Sequence, residues 1–242
     1  MFITLFFTIF CLSTGILSSS IPSGPTLPCD ITDESCVTKL ANILLPHLLT
    51  GVQGIELPSI DPLYVDEVVG DLSILKYKFN NSTVLGFHNC KASNIKLDKE
   101  FTKLNYDFIC PQLSMTGIYE IKGRLILLPV EGNGDFKMTT GKYLIHVESE
   151  LKKSKGKTDK IHGHIKNFKL KCEALEPIYF DFKNLFNGQK DLSDAVHKFA
   201  HENWQEVANL VQDPVFYASM KIIVTATNKY LKHVPLEEIL SL

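Results

Sequence analysis

Charged side chains are absent from the first twenty residues, in a chain of which 21% of residues are charged. This segment has an apolar run, Phe2 to Leu12, followed by small polar residues and a Ser18-x-Ser20 cleavage signal. The apolar run is too short to span a bilayer comfortably. Although no Lys or Arg precedes it, we predict a secretory signal peptide over residues 1–20 and a mature domain over residues 21–242.

Two further absences limit the function. The rest of the chain has no apolar run long enough for a transmembrane helix, and the formal net charge is only -2. A near-neutral chain has no excess of basic residues for nucleic acid or for an anionic membrane. We therefore expect a secreted, extracellular protein without a nucleic-acid partner. We also expect a monomer, although the sequence does not determine the oligomeric state. The 222 residues that remain of the 242 fit a single domain.

Motifs of common enzymes and metal sites are also missing. There is no G-x-S-x-G motif and no C-x2-C pair, and HENWQ (201–205) has Gln where a zinc-protease helix needs a second His. His162 and His164 share a strand face without a third ligand nearby, so an exposed pair is a better interpretation than a metal site. GNGDF (132–136) lacks the third Gly of a dinucleotide loop and is interpreted as a turn. We predict no catalytic residue, no metal and no cofactor.

The cysteine count becomes odd once Cys11 leaves with the signal peptide, and secretion favours disulfides. The mature chain keeps Cys29, Cys36, Cys90, Cys110 and Cys172. Cys29 and Cys36 close a short loop and are predicted to pair. If residues 99–101 form a hairpin tip, Cys90 and Cys110 lie opposite each other as a second candidate pair. The three cysteines outside the short loop cannot all pair, so one is free or intermolecular.

Overlapping glycosylation sequons occur in NNST, at Asn80 and Asn81. They fall at an expected strand connection in a secreted chain, so either could carry a glycan. The sequence leaves open whether one of them is used.

Hydrophobic periodicity predicts a short helix, a long antiparallel meander and a long helix. The first helix follows Cys36 and carries an apolar stripe, which Pro46 bends or ends early. Strand patterns cover residues 68–79, 83–97, 103–117, 118–130, 136–151, 159–172 and 176–184. A slip in alternation between Ile165 and Phe168 predicts a bulge near Asn167. Residues 152–160 are predicted to form a solvated hairpin loop.

Helical spacing resumes at Leu192 and continues to Leu231, with a kink or break predicted near Asp213–Pro214. A large sheet with one apolar face and two substantial helices must curl around something, and the long apolar helix is the obvious filling. We predict an α+β fold in which a long C-terminal helix is wrapped by a strongly curved antiparallel sheet.

Alternation also predicts which side chains point inward. The candidates are Tyr106, Phe108, Tyr119, Ile121, Leu125, Leu127, Tyr143, Ile145, Val147, Phe168, Phe180, Phe182 and Phe199. For any one of them, packing in the core is the better interpretation. The same residue types line apolar ligand pockets, and the pattern does not separate the two roles.

Five segments together resemble the insect takeout and juvenile-hormone-binding protein family, in the same order and from about Cys29 to the C-terminus. They are LPCDITDESCVTKL, GIELPSIDPLYV, FNNSTVLGF, ICPQLSMTGIYEIKGRLILLPVEGNGDF and FKNLFNGQKDLSDAVHKFAHENWQEV. The resemblance implies a TULIP-like single domain, in which a curved sheet and a long helix enclose an apolar tunnel. It also implies a carrier of apolar small molecules, with links to feeding, circadian output and chemosensory tissue.

Individual residues extend the resemblance. Cys29 and Cys36 match the N-terminal disulfide of the family. Cys172 resembles a strand cysteine that bonds to a C-terminal helix cysteine in hormone-binding members, but this sequence has no cysteine after it, which favours the takeout branch. Tyr143 lies in the region of a hormone-contacting tyrosine.

Three functional hypotheses follow. The leading one is a secreted carrier of a juvenile-hormone-like terpenoid or a fatty-acid-like ligand, with a receptor or membrane encounter for delivery. The alternative is a secreted signalling or interaction protein that acts through a receptor and has a closed or incidental cavity. An enzyme, such as a lipid hydrolase or a disulfide exchanger, is disfavoured, and Cys90 beside His88 is its only adjacent thiol–imidazole pair.

Overall fold

The computed structural model describes residues 27–156 and 159–241, so the predicted signal peptide lies outside the described residues. The helices are α1 (Glu34–Thr50), α2 (Lys190–Glu202) and α3 (Trp204–His233). The first six strands are β1 (Cys29–Asp30), β2 (Leu63–Asp71), β3 (Leu75–Leu85), β4 (Lys91–Leu97), β5 (Lys103–Cys110) and β6 (Ser114–Leu125). The others are β7 (Leu128–Thr140), β8 (Tyr143–Lys155), β9 (Ile161–Ala174), β10 (Ile178–Phe182) and β11 (Leu240–Ser241).

Nine of these strands form two antiparallel sheets that continue into each other. One sheet has the order β10-β7-β6-β3-β2 and the other β4-β5-β8-β9. The chain passes from β5 to β6 and from β7 to β8 through short bends. These two bends lie side by side and are joined by a hydrogen bond, in which the Thr140 amide donates to the Leu113 carbonyl at 2.8 Å. The Gly141 amide likewise donates to the Pro177 carbonyl at 2.9 Å. The predicted curved sheet is therefore confirmed. Its long strand segments bend along one line, which includes residues 111–113 and 141–142 and which we call the crease.

That crease explains why several predicted strands are too long. The segments 83–97, 103–117 and 136–151 each cross it, and each is divided there into two strands. Apolar and polar residues alternate on both sides of a bend, so the sequence pattern does not reveal where the bend lies. The bulge predicted near Asn167 is present: Glu150 pairs with Asn167 but Leu151 pairs with Ile165, which leaves one extra residue in β9.

The predicted strand 118–130 and the turn at 132–136 are wrong. β6 and β7 are joined by a tight turn at Ile126 and Leu127, and β7 continues as strand through GNGDF. Leu127 is 70% exposed at the hairpin tip, so its predicted inward orientation is also wrong. Gly132 is required for close approach, since a Cβ there would lie 2.9 Å from the Tyr119 hydroxyl.

The helical break lies at Asn203, ten residues before its predicted position. Asn203 has non-helical torsions (φ -118°, ψ 37°) and ends α2, with its side-chain amide donating to the Phe199 carbonyl at 2.8 Å. α3 then continues through Pro214 to His233. α1 likewise continues past Pro46 to Thr50, so neither proline ends its helix. A proline removes one backbone donor, and tertiary packing of the helix can outweigh that loss.

Helix side chains seal two edge strands of the sheets. The Asn42 amide of α1 accepts from the Ala92 N–H of β4 at 2.9 Å and donates to its carbonyl at 2.8 Å. The Asn228 amide of α3 makes the same pair of bonds with Ile165 of β9, at 2.7 and 2.9 Å. An asparagine amide thus replaces one residue of a missing strand, which satisfies exposed backbone groups and blocks edge-to-edge pairing.

Two histidines of α2 seal the edge of β10. Nε2 of His197 accepts the N–H of Phe182 at 3.0 Å. Nε2 of His201 lies 3.2 Å from the N–H and 3.1 Å from the carbonyl oxygen of Phe180. We call this contact the histidine clasp.

Cross-links and terminal strands close the domain. Disulfides join Cys29 to Cys36 and Cys90 to Cys110. β1 pairs in parallel with β11, with Cys29 opposite Leu240. Within residues 27–156 and 159–241, no helix has the length and apolar character needed to cross a membrane.

The asparagine seals lead to a stability prediction. We expect Asn228→Ala to lower the free energy of unfolding by about 2–3 kcal/mol, because it removes two hydrogen bonds and leaves the Ile165 N–H and carbonyl without partners. Urea denaturation measures the effect. The control Asn133→Ala replaces an exposed strand asparagine and should change the value by less than about 0.5 kcal/mol. Equal values for the two variants would contradict the role of the seal.

Candidate functional site

Three cavities follow α3 through the interior. The α1 cavity, between α1, the β4–β5 part of the sheet and the C-terminal half of α3, has a volume of about 200 Å³. The central cavity lies under the crease and has about 60 Å³. The α2 cavity, between α2, β10 and the N-terminal part of α3, has about 40 Å³. Their order along α3 follows from the α3 residues in their walls: the α2 cavity begins at Val207, the central cavity extends to Ser219, and the α1 cavity extends to Leu231.

The α1 cavity is the largest of the three, and its wall is apolar apart from Tyr106 and Thr227. α1 contributes one face of its helix, including Leu40 and Leu44, because these apolar residues recur at helical spacing. Asp33 caps the first turn by accepting from the backbone N–H groups of Ser35 and Cys36. The Thr227 hydroxyl donates to the Ile223 carbonyl at 2.9 Å and is therefore satisfied within its own helix. Such a wall can bind a ligand by excluding water from apolar surface.

The central cavity contains a buried polar pair. The Tyr143 hydroxyl donates to the Gln212 side-chain oxygen, and the Gln212 amide donates to the Cys172 carbonyl and to the Asn209 side chain, each at 3.1 Å. Burial raises the pKa of Tyr143 well above its usual value, so the hydroxyl remains protonated. The cavity wall also includes Ser114, Thr140 and Ser219 and is otherwise apolar. Tyr143 and Gln212 can orient a polar ligand end there.

The three cavities are not equally connected. The central and α2 cavities share Met138, Phe180 and Val211 in their walls, so they adjoin. The α1 and central cavities share no lining residue. The stretch of α3 between their walls contains Met220, which is only 1% exposed, and the Phe216 ring packs on Tyr143 with 4.7 Å between centroids.

The predicted inward residues divide among these cavities and the solid core. Tyr106 and Phe108 line the α1 cavity, Tyr143 and Phe180 the central cavity, and Ile121, Leu125, Phe180 and Phe182 the α2 cavity. Five candidates line none of the three cavities. Tyr119, Ile145 and Val147 are fully buried among other side chains. Phe168 stacks on Tyr217, and Phe199 is half-buried.

Sequence reasoning missed much of the α1 cavity wall. Leu40, Leu44 and Ile223 lie on helices, whereas the candidates were mostly strand aromatics. The apolar stripe of α1 was visible in the sequence, but its spacing is the same whether the helix packs on side chains or on a cavity.

Other chemically suggestive residues are engaged elsewhere. Cys90 is in a disulfide and His88 pairs with Asp61, so the adjacent thiol and imidazole do not form a reactive pair. The His162 ring lies 3.0 Å from the Leu231 carbonyl and donates to it. In the described part of the chain, no group of three or more His, Cys, Asp or Glu side chains could hold a metal ion.

Comparison with known proteins identifies the family. The family described as "Haemolymph juvenile hormone binding protein (JHBP)" matches residues 5–241. The chain belongs to this family. The crystal structure of Epiphyas postvittana Takeout 1 has 27% sequence identity and a TM-score of 0.83, over 88% of this chain and 99% of that one.

Curated relatives agree with the family assignment. The circadian clock-controlled protein daywake of Drosophila melanogaster is 25% identical, over 91% of this chain and 88% of the relative. Daywake of Drosophila yakuba is 22% identical over the same shares. The family consists of carriers of hydrophobic ligands rather than enzymes, and its architecture, a long C-terminal helix against a large antiparallel sheet, is the one described above.

Cys172 provides a test of the buried centre. Burial, with a smaller contribution from Asp213, raises the pKa of its thiol to about 12, so at pH 8 only about one molecule in ten thousand carries the reactive thiolate. We expect no reaction of the folded protein, produced without residues 1–20, with a thiol reagent at pH 8, and one reactive thiol per chain in guanidinium chloride. Cys172→Ala should abolish the labelling in guanidinium chloride. Rapid labelling of the folded protein would contradict the placement.

Proposed function

We propose that the protein is a secreted carrier of an elongated apolar ligand, a juvenile-hormone-like terpenoid or a fatty-acid-like molecule. The observation that carries the proposal is the α1 cavity, an apolar space of about 200 Å³ enclosed by α1, the sheet and α3. Burial of ligand surface in such a space contributes about 25 cal/mol per Å² before the cost of ordering. The predicted signal peptide and the two disulfides support secretion, since disulfides persist in oxidising compartments.

Cavity size limits the ligand that fits without rearrangement. A cavity of about 150 Å³ holds benzene, whereas drug-sized ligands occupy about 300–1,000 Å³. The α1 cavity lies between these values, so an elongated ligand must also enter the central cavity. We propose that it does so by displacing Met220 or Phe216, and that its polar end then reaches Tyr143 and Gln212. The remaining wall residues, among them Tyr106 and Phe108, bind its apolar part.

The names of the relatives support a physiological setting. Daywake is described as a circadian clock-controlled protein, and we propose a role of the same kind, in circadian, feeding or chemosensory physiology. No observation favours the receptor-acting alternative, because the free thiol that would have supported it, Cys172, is buried and the interior contains cavities.

The direct test is native mass spectrometry of the secreted protein, followed by organic extraction of what co-purifies. A stoichiometric apolar molecule supports the carrier function and identifies the ligand class. A clean apo mass, without uptake of fatty acids or terpenoid esters when these are offered, contradicts it.

Two threonines of α3 provide a matched pair for the α1 cavity. Thr227 lines the cavity and Thr225 is exposed, and each hydroxyl donates to the carbonyl four residues earlier. Thr227→Phe adds a ring to the cavity and should weaken binding of a fluorescent fatty acid by at least about tenfold, which corresponds to about 1.4 kcal/mol. Thr225→Phe should leave the affinity unchanged. Equal affinities would place the ligand elsewhere.

We propose Asn81, rather than Asn80, as the glycosylated residue. A register shift between Asn80 and Thr83 marks a bulge, and Asn81 is exposed there with a φ of 47°. Asn80 is half-buried and pairs with Glu67 on one side and Ile118 on the other. A glycan at Asn81 therefore extends from the bulge into solvent.

The hydroxyls of the two overlapping sequons separate the two sites. Thr83→Ala destroys only the Asn81 sequon and should remove the mass that peptide N-glycosidase releases from the secreted protein. Ser82→Ala destroys only the Asn80 sequon and should leave that mass in place; the Ser82 hydroxyl has no hydrogen-bond partner to lose. The reverse pattern would assign Asn80, and an unglycosylated wild type would exclude both.

A further inference from the structure

The histidine clasp differs from the two asparagine seals in that it can change charge. The asparagine amides that hold β4 and β9 do not titrate, so these hydrogen bonds do not depend on the charge of the side chain. Histidine is the side chain that ordinarily gains or loses charge between about pH 5 and pH 8. His162 of β9 donates to the Leu231 carbonyl of α3, a bond that a protonated ring can also make. Among the described contacts, α2 is therefore the helix held to a sheet edge by histidine nitrogens that accept from the strand.

The hydrogen bonds of His197 fix its neutral tautomer. Nδ1 lies 2.9 Å from the Ser193 carbonyl, which can only accept, so Nδ1 carries the proton. Nε2 then presents its lone pair to the N–H of Phe182 at 3.0 Å. A second proton at Nε2 would set two donors against each other. Protonation of His197 is thus incompatible with this clasp bond.

His201 responds differently to a proton. Its Nε2 lies close to both the N–H and the carbonyl oxygen of Phe180, at 3.2 and 3.1 Å. A protonated ring at this position can donate to the carbonyl instead of accepting from the amide. His201 is also exposed, whereas His197 is half-buried and lines the α2 cavity. His197 is therefore the sensitive member of the clasp.

No nearby charge compensates a proton on His197. In the described part of the chain, neither clasp histidine has a carboxylate within 4.0 Å, whereas His88 and His146 do. Most charged side chains on α2 and at the end of β10 pair with each other: Lys190 with Asp194, Lys198 with Glu202 at 3.9 Å, and Lys183 with Asp181 at 2.8 Å. Asp191 is exposed to solvent in the first turn of α2.

The other titratable neighbours of the clasp lie on adjoining elements. They are Glu206, exposed in the first turn of α3; Tyr179, whose ring lies 5.8 Å from that of His201; and Tyr119, whose hydroxyl donates to the Lys183 carbonyl. The remaining side chains around the α2 cavity, from β3, β6, β7, β10 and α3, are apolar. A charged ring at His197 would thus face an apolar space, which is unfavourable.

We propose that α2 is an acid-opened door of the α2 cavity and that His197 is its latch. At neutral pH the latch holds α2 on β10 and closes that end of the cavity row. Mild acid protonates His197, releases α2 from β10 and exposes the cavity wall at Val196 and Ala200. In combination with the proposed carrier function, on which this part rests, the door gives a pH-dependent exit for an apolar ligand.

Trp204 provides a built-in reporter of the door. It is the single tryptophan of the chain, begins α3 directly after the break at Asn203, and is half-buried against the core. Its fluorescence emission should shift to longer wavelength between about pH 7.5 and pH 5.5 as α2 moves away, while the far-ultraviolet circular dichroism stays constant. An emission maximum that does not move over this range would overturn the proposal.

Two substitutions separate the latch from other histidines. His197→Gln places a side-chain oxygen that accepts the Phe182 N–H at any pH, so the acid shift of Trp204 should disappear. His201→Gln, the matched control one turn away, should retain it. If His197→Gln keeps the wild-type transition, another group is the sensor and the proposal fails. The wild-type and His201→Gln measurements stand even if His197→Gln folds poorly.

Release of a fluorescent fatty acid tests the coupling to binding. We expect about tenfold faster release at acid pH from the wild type, the factor that corresponds to loss of one hydrogen bond of about 1.4 kcal/mol, and pH-independent release from His197→Gln. A Trp204 transition with unchanged release would show a door that is not the ligand exit and overturn the coupling. Absence of binding at neutral pH contradicts the carrier function but leaves the Trp204 result, and with it the door, to be judged separately.

Discussion

The structure depends on how the edges of a curved sheet are closed without forming a barrel. Strand edges expose unpaired backbone groups, and a large sheet with open edges would pair with other chains. Here side chains from the helices take the place of the missing strands: Asn42 on β4, Asn228 on β9, and the histidine clasp on β10. These contacts fix each helix against the sheet, so the positions of the cavity walls follow from the same bonds that protect the edges.

The crease and α3 together explain why the interior is divided. Three long strand segments bend along one line, which brings the two sheets around a single helix, and side chains fill most of the space where the sheets meet. Tyr143, Gln212 and Phe216 occupy that region and leave the small central cavity. At the other end of α3, α1 covers the β4–β5 part of the sheet, and the largest of the three cavities lies between them. The polar pair at the centre and the apolar space beside it suit a ligand with one polar end.

Much of this architecture follows from local sequence patterns. Period-two alternation and helical spacing gave the element order, the bulge near Asn167 and the inward side of most strands, because each is a property of a few neighbouring residues. The bend at 141–142, the hairpin tip at Leu127 and the break at Asn203 were not found, since tertiary contacts decide among several compatible local conformations. The cavity walls were harder still: Ile145 and Tyr106 alternate alike, but only the second meets an empty space.

The pairing of β1 with β11 makes the two ends of the domain a single mechanical unit. Leu236, Ile239 and Leu240 belong to the wall of the α1 cavity, and Leu240 also lies opposite Cys29, which is bonded to Cys36 in α1. Any protease, fusion partner or tag that pulls on the last described residues therefore acts on the cavity and on α1 at once. The C-terminal segment of this fold is thus part of the wall that surrounds the α1 cavity.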